Sequence, residues 1–289
     1  MNVKDRVTIV TGASTGIGRE VARELVSRSA AVVLASRNRE KLEALAEELA
    51  PYPGPTLVIP TDVTDRYAVE ALARRTLEVF GSIDILVNNA GSGLFAPVAS
   101  GSIENARHLF EVNFWGAVQC IQATAPYMQS QKRGHIVNVS SVAGWIAPPH
   151  MGMYAATKFA LRAVSDALRV EMAGSGVKVS TIFPGLTQTQ FTENMVQEVA
   201  APHVPPVVRW ATPQTVARRI MQAIRWGWRD VFISPEDMAA VGFTTLAPYA
   251  SDWAMRAFMG PQRIADDFTL PRGERSIERE DAEPPAEPA

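Results

Sequence analysis

The 289-residue chain carries 28 Lys and Arg against 30 Asp and Glu, a formal net charge of −2, and is 47% hydrophobic. That balance supplies no global field to draw in nucleic acid or anionic lipid, and the length supports one large α/β domain with a sizeable core, two small domains being the other division it allows. Cys120 is the only cysteine, which excludes an intramolecular disulfide and fits a reducing compartment, and the four scattered histidines have no metal-ligand spacing.

From the N-terminus, Lys4-Asp5-Arg6 leads into a short apolar run without the apolar region and small-residue cleavage site of a secretory signal, so a cytoplasmic location is predicted. Strand-like runs follow at 7–10, 31–35, 56–59, 83–87, 135–139, 177–183 and 231–233. Between them lie segments of helical periodicity such as 39–49, 68–80 and 151–172. The alternation predicts βαβ units, and strand cores that are apolar throughout predict helices on both faces. The expected fold is therefore α/β, a doubly wound parallel seven-stranded sheet. Residues 1–262 are expected to form a single domain, with 235–262 as a C-terminal helical extension. The most membrane-like stretch, 238–259, is broken by Pro248, Ser251, Asp252 and Arg256, whereas a spanning helix needs about 20 apolar residues. Residues 263–289 are expected to be a disordered tail, because 271–289 hold almost nothing apolar except Ile277.

In such a sheet, ligands bind beyond the carboxyl ends of the strands. The predicted ends are small or polar: Thr11-Gly12, Ser36-Arg37, Thr61-Asp62, Asn88-Asn89, Ser140-Ser141 and Pro184-Gly185. After the first strand, Thr11-Gly12-Ala13-Ser14-Thr15-Gly16-Ile17-Gly18 is a glycine-rich turn into a helix. Its spacing, GxxxGxG, suits close backbone approach of a pyrophosphate to a helix N-terminus. At the end of the second strand, an Asp would hold an adenine-ribose hydroxyl and repel a 2′-phosphate; Ser36 and Arg37 would accept the phosphate, which points to NADP(H). Tyr154 and Lys158, at i and i+4 of a helical segment, project from one face, and a cation beside a phenol favours the phenolate. Taken alone, such a pair is more often two surface neighbours.

The ensemble resembles the short-chain dehydrogenase/reductase family, in the subgroup with a TGxxxGxG turn, from about residue 7 to 189. Thr11 to Gly18 resemble its cofactor turn, and Asp62-Val63 the pair that contacts adenine. Asn88-Asn89-Ala90-Gly91 resemble its NNAG motif. Asn113 is similar to the helix asparagine of its proton relay. Ser141, thirteen residues before Tyr154, resembles its catalytic serine, and Tyr154-x-x-x-Lys158 its YxxxK motif. Pro184-Gly185 with Thr189 resemble the segment that meets the nicotinamide. Thr187 stands where the family commonly has a branched apolar residue. Ser140 lies off the family's spacing and is expected to be a strand-end residue.

The resemblance implies a Rossmann-like fold, NADP(H), and hydride chemistry between a carbonyl and a hydroxyl, with Tyr154 as acid/base, Ser141 orienting the oxygen, Lys158 lowering the tyrosine pKa and holding the nicotinamide ribose, Tyr154 and Lys158 both counted among the cofactor-binding residues, and Asn113 linking the relay to solvent. It also implies a homodimer or homotetramer paired through the helices that hold Asn113 and Tyr154. Residues 186–211, with Phe191, Met195, Val199 and prolines 202, 205 and 206, are expected to form a substrate lid for a small or lipophilic substrate. Phe95, Trp145, Met151 and Met153 are candidate pocket residues. For Arg225-Trp226-Gly227-Trp228-Arg229 and 238–259, packing on the protein body or a second subunit is favoured over a lid or a peripheral membrane contact. Two competing readings stay open: a non-catalytic NADP(H)-binding regulatory or scaffold protein, against which the complete Asn113, Ser141, Tyr154 and Lys158 set argues, and an epimerase or dehydratase using the same Tyr/Lys pair.

Overall fold

The computed structural model describes residues 1–199 and 210–259; the expected tail and the prolines at 202, 205 and 206 lie outside them. The first half of the fold runs β1 (Val7–Thr11), α1 (Gly16–Val26), β2 (Ala31–Ser36), α2 (Arg39–Leu49), β3 (Thr56–Pro60), α3 (Arg66–Phe80) and β4 (Ile85–Asn88). A short β5 (Leu94–Phe95) then precedes α4 (Ile103–Phe110), a π turn (Glu111–Trp115) and α5 (Gly116–Ser130). The remainder is β6 (Gly134–Val139), α6 (Gly152–Glu171), β7 (Val177–Phe183), β8 (Val196–Gln197), α7 (Pro213–Trp226), β9 (Asp230–Phe232), α8 (Pro235–Leu246) and α9 (Pro248–Met259).

Seven strands form one sheet in the order β3-β2-β1-β4-β6-β7-β9, and every pairing in it is parallel. The strand period of two splits the core into two layers. On one face Val10, Val32, Leu34, Ile85 and Val87 pack against Leu25 of α1, Leu42 of α2 and Ile220 of α7. On the other, Ile9, Val33, Leu86 and Ile136 meet Leu72 of α3, Ile121 of α5 and Leu168 of α6. Helices cover both faces, which is why the strand cores are largely apolar rather than alternating. Strand order reverses between β1 and β4, so the switch-point crevice lies where their carboxyl ends part.

The strand expected at 83–87 begins two residues later. Asp84 is buried, its carboxylate accepts the Val7 amide at 3.0 Å, and it is paired by Arg133 at 2.8 Å and Arg6 at 3.5 Å. A side chain thus takes the place of a ladder carbonyl, and regular pairing starts at Ile85. The last strand is likewise shifted by one residue, to Asp230–Phe232. The 238–259 stretch is divided at Pro248, as proline's missing N–H requires. Among the described residues no helix is long and apolar enough to cross a membrane. The α8–α9 pair nonetheless leaves Leu246 at 87% and Tyr249 at 89% exposure, while Thr244 and Ser251 hydrogen-bond to each other.

The Arg225 to Arg229 stretch joins the end of α7 to the start of β9 and therefore lies at the amino ends of the parallel strands. The lid reading of that stretch is corrected, since the strand ends that carry the motifs are on the opposite edge. There the N-terminal ammonium donates to the carbonyls of Ile224 at 2.8 Å and Arg225 at 2.6 Å, and the Arg225 guanidinium covers the Trp226 ring.

Candidate active site

The glycine turn is shaped by close approach of β4. Gly12 is at φ +64°, and a Cβ there would lie 2.9 Å from the Ala90 Cα. At Gly18 a Cβ would lie 2.3 Å from the Gly12 carbonyl oxygen, so only glycine lets α1 start against the turn. Thr11 and Asn89 stitch the two strand ends together. The Thr11 hydroxyl accepts the amides of Asn89 and Ala90 at 3.0 and 3.1 Å, while Asn89 Nδ2 donates to the carbonyls of Thr11 and Gly12 at 3.0 and 3.2 Å. Asn89 is thereby a brace for the turn.

Several features of this edge fit a phosphorylated dinucleotide. Thr15 precedes α1 without a side-chain cap, so among the described residues the first helical N–H groups of Gly16, Ile17 and Gly18 are left uncapped, with Ser14 in the same turn. Ser36 Oγ is buried with no hydrogen-bond partner among the described residues. Beside it, the Arg37 side chain is exposed and has no ion pair among the described residues. On Asp62, burial raises the pKa but is outweighed by hydrogen bonds from the Thr64 amide and hydroxyl and by the positive charge of Arg37, so the carboxyl is held below its ordinary range. Val63 is buried where a Cβ at Gly116 would lie 2.6 Å from its side chain.

The structure brings Ser141, Tyr154 and Lys158 together at the carboxyl end of β6. Tyr154 and Lys158 lie one turn apart on α6, 6% and 5% exposed. The Ser141 hydroxyl lies near enough to the Tyr154 phenol to favour its ionised form, and the Lys158 ammonium stands 5.8 Å from the phenol ring centre while donating to the Val139 carbonyl at 3.2 Å. The Ser141 hydroxyl donates to the Pro184 carbonyl at 3.2 Å. Ser140 turns the other way, bonding the Lys158 carbonyl at 3.1 Å, which makes it a tie between β6 and α6.

Burial governs the protonation of this pair. It pushes the Tyr154 phenol up to about 12, against the lowering effect of the nearby Ser141 hydroxyl, and pushes Lys158 down to about 8. The lowered tyrosine pKa expected from a neighbouring cation is therefore corrected: desolvation disfavours the charged form of each group and outweighs their proximity.

Asn113 is 1% exposed, turned inward by the π turn between α4 and α5. Its amide accepts from Ser92 N at 2.8 Å and donates to Ser92 O at 2.9 Å and Thr157 Oγ1 at 3.1 Å. Both Asn113 Oδ1 and Lys158 Nζ face Gly91, at 3.2 and 3.7 Å from the position of a Cβ there. Opposite, Val142 N donates to the Pro184 carbonyl, Gly185 is crowded by Asp237 at the start of α8, Thr187 turns its hydroxyl onto the Gly185 carbonyl at 3.0 Å, and Thr189 touches Gly16.

Leu94, Ala96, Leu109, Ala143 and Ala155 form an apolar cluster with Tyr154, joined by Met151, Met153 and Phe191. Phe95 is buried beside this cluster and its ring meets His150. Trp145 is not part of the cluster. It packs edge-on to Phe183 at 5.8 Å, under the Arg162 guanidinium at 3.2 Å from its ring centre, so its place in the pocket is corrected. Sequence reasoning missed Ser92 and Thr157, the two partners of Asn113, and also Asn138, a polar residue in the middle of a buried strand that was itself a signal.

The fold and this arrangement define a class, the doubly wound α/β oxidoreductases that bind a dinucleotide at the strand ends. The chain belongs to the short-chain dehydrogenase family, whose profile matches residues 6–200. It is 38% identical to an uncharacterised oxidoreductase of Staphylococcus epidermidis over 191 residues, covering 66% of this chain and 82% of that one. It is 33% identical to a dehydrogenase/reductase SDR family protein 7-like of Anopheles gambiae over 264 residues, covering 88% and 83%. Among solved structures, a short chain dehydrogenase/reductase from Burkholderia phymatum in complex with NAD matches with a TM-score of 0.79 at 26% identity, covering 86% of this chain and 96% of that one. A metagenomic short-chain oxidoreductase in complex with NADP matches with 0.67 at 30%, covering 80% and 97%.

Proposed function

We propose that the protein is an NADP(H)-dependent oxidoreductase that interconverts a carbonyl and a hydroxyl on a small, apolar substrate. The observation that carries this reading is the buried Tyr154 phenol, gathered with Ser141 and the Lys158 ammonium at the carboxyl edge of the sheet. Gly12, Ser14, Thr15, Gly16, Ile17 and Gly18 would hold the pyrophosphate, and Ser36 and Arg37 the 2′-phosphate. Asp62 and Val63 would meet the adenine. Asn89, Ala90, Gly91, Pro184, Gly185, Thr187 and Thr189 would flank the nicotinamide half. Bound there, the cofactor supplies or accepts the hydride.

The remaining chemistry belongs to the protein. With its pKa raised to about 12, Tyr154 is a neutral phenol at pH 7, poised to give its proton to a carbonyl oxygen. The Ser141 hydroxyl swings from the Pro184 carbonyl to that oxygen and orients it, where negative charge develops. Lys158, still an ammonium at pH 7 but made a stronger acid by burial, is ready to return a proton to the phenolate. Asn113 fixes Ser92 and Thr157 around that lysine and links the relay to solvent.

The apolar cluster around Tyr154 supports an apolar substrate, and exposed Trp115, Tyr127, Phe159 and Val170 on the π turn, α5 and α6 support pairing of two or four chains through those helices. NADPH absorbance with a panel of ketones, aldehydes and secondary alcohols tests the proposal. Turnover that is faster with NADP(H) than with NAD(H) is expected; turnover with neither cofactor across the panel would overturn it.

A further inference from the structure

Between the nicotinamide-side residues and residue 199, the chain lies down on β5. Val196–Gln197 of β8 pairs in parallel with Leu94–Phe95, and the amides of Val196 and Glu198 donate to the carbonyls of Gly93 and Phe95 at 3.0 and 2.9 Å. A two-residue ladder of this kind is marginal by itself. Its end is tied down by one side chain. Glu198 Oε2 accepts the Ser102 amide at 2.9 Å, and Oε1 accepts the Asn105 side-chain amide at 2.7 Å. Ser102 caps α4 with its own hydroxyl on the Asn105 amide, so the carboxylate sits at the positive end of that helix, where a charged acceptor is favoured. Glu198 lies 96 and 93 positions from its two partners, so the tie joins distant parts of the chain.

The tied segment reaches the reacting residues. The Phe191 ring lies 5.7 Å from the Tyr154 ring. Met195 is pressed so closely onto buried Gly93 that a Cβ there would lie 2.7 Å from Met195 Cε and 3.1 Å from Phe191 Cε1. Gly93 follows Gly91, the residue that Asn113 and Lys158 face. Side chains packed beside the phenol are thus carried on backbone held by β5 and Glu198. Glu198 itself touches none of Ser141, Tyr154, Lys158 or Asn113.

We infer that Glu198 is a positioning residue: by docking on Ser102 and Asn105 it holds Phe191 and Met195 as a fixed wall beside Tyr154, and this wall selects carbonyl compounds with an apolar substituent. The selection rests on the oxidoreductase reading, whereas the holding of the wall does not. Hydrogen exchange of the 191–198 segment in the full chain tests the holding directly. Glu198→Ala and Asn105→Ala should each speed exchange of the Val196 and Glu198 amides about tenfold or more, and the double variant should resemble Glu198→Ala alone because the two residues share one bond. Glu198→Gln, with a single acceptor oxygen, should fall between. Unchanged exchange in Glu198→Ala would overturn the positioning role.

Selection is read from kinetics at saturating NADPH with acetophenone as the apolar probe and dihydroxyacetone as the small polar one. Glu198→Ala should raise the KM for acetophenone at least fivefold, with kcat, the KM for dihydroxyacetone and NADPH affinity nearly unchanged. Phe191→Ala should shrink the preference for acetophenone by a similar factor. Equal changes for both ketones would overturn the selection. Wild-type protein that reduces neither ketone would overturn the selection, whereas the oxidoreductase reading falls only if the wider panel also gives no turnover, and the exchange result decides independently whether Glu198 holds the wall.

Discussion

Replacing Lys158 by Met should make the protein more stable and inactive at once. The ammonium is buried, and burial takes its pKa from 10.5 to about 8. A lysine whose folded pKa lies below its unfolded value binds fewer protons in the native state, so it weakens the fold. That penalty is complete below the folded pKa and is relieved as pH rises toward the unfolded one. The shift corresponds to about 3 kcal/mol at pH 7 and to about 1 kcal/mol at pH 9.5. The ammonium also makes one hydrogen bond, to the Val139 carbonyl at 3.2 Å, and losing it costs about 1 kcal/mol. Lys158→Met should therefore stabilise the cofactor-free protein by about 2 kcal/mol at pH 7, or roughly 4–8 °C in melting temperature, and by almost nothing at pH 9.5. Thermal unfolding of both proteins at the two pH values measures this, with NADPH oxidation as the parallel assay. A Lys158→Met variant less stable than wild type at pH 7, or a stability difference that ignores pH, would refute the argument that desolvation governs this lysine.

Tyr154→Phe should reduce turnover by at least about 100-fold, as loss of a general acid does, while fluorescence titration finds NADPH affinity nearly intact; substantial residual turnover would reject Tyr154 as the proton donor. Arg37→Asp should weaken NADPH by about 10- to 100-fold and NADH by far less, through loss of charge-assisted hydrogen bonds to the phosphate; equal losses by isothermal titration would show that Arg37 does not read it. Gly18→Ala, which would set a methyl 2.3 Å from the Gly12 carbonyl oxygen, should cost roughly 1–3 kcal/mol of stability and weaken both dinucleotides, measured by thermal unfolding and titration. Unchanged melting temperature and affinity in the Gly18→Ala variant would contradict the close approach of α1 to the turn.

How much of this was legible in the chain depended on range. The sheet declared itself because strands covered on both faces read as unbroken apolar runs, and the motif residues fall at strand ends that a parallel sheet gathers on one edge whatever the loops do. The two-residue strands β5 and β8 have no periodicity to detect, and the tie at Glu198 joins positions so far apart that no local pattern encodes it. Trp145 looked like a pocket residue from its nearness to Ser141, yet its ring is spent on Phe183 and Arg162. For Tyr154, the sequence places a cation one turn away but is silent on desolvation, which is the larger effect and has the opposite sign.

The same contrast explains why a polar chain runs through the apolar centre of the sheet. Asn88 Nδ2 bonds Asn138 Oδ1 at 2.9 Å across β4 and β6, and Asn138 Nδ2 bonds Ser165 Oγ of α6 at 2.8 Å. Ser140 then ties β6 to the Lys158 carbonyl, and Lys158 ties α6 back to Val139. Apolar contacts between a helix and a sheet tolerate a slide of an ångström with little change in buried area, whereas a hydrogen bond between two buried groups has one register, and breaking it strands a desolvated polar atom. A displacement of that size would separate the Tyr154 phenol from Ser141. The buried amides and hydroxyls beneath the site therefore give α6 the register that hydrophobic packing leaves loose, and they do so on the helix where the reacting groups are carried.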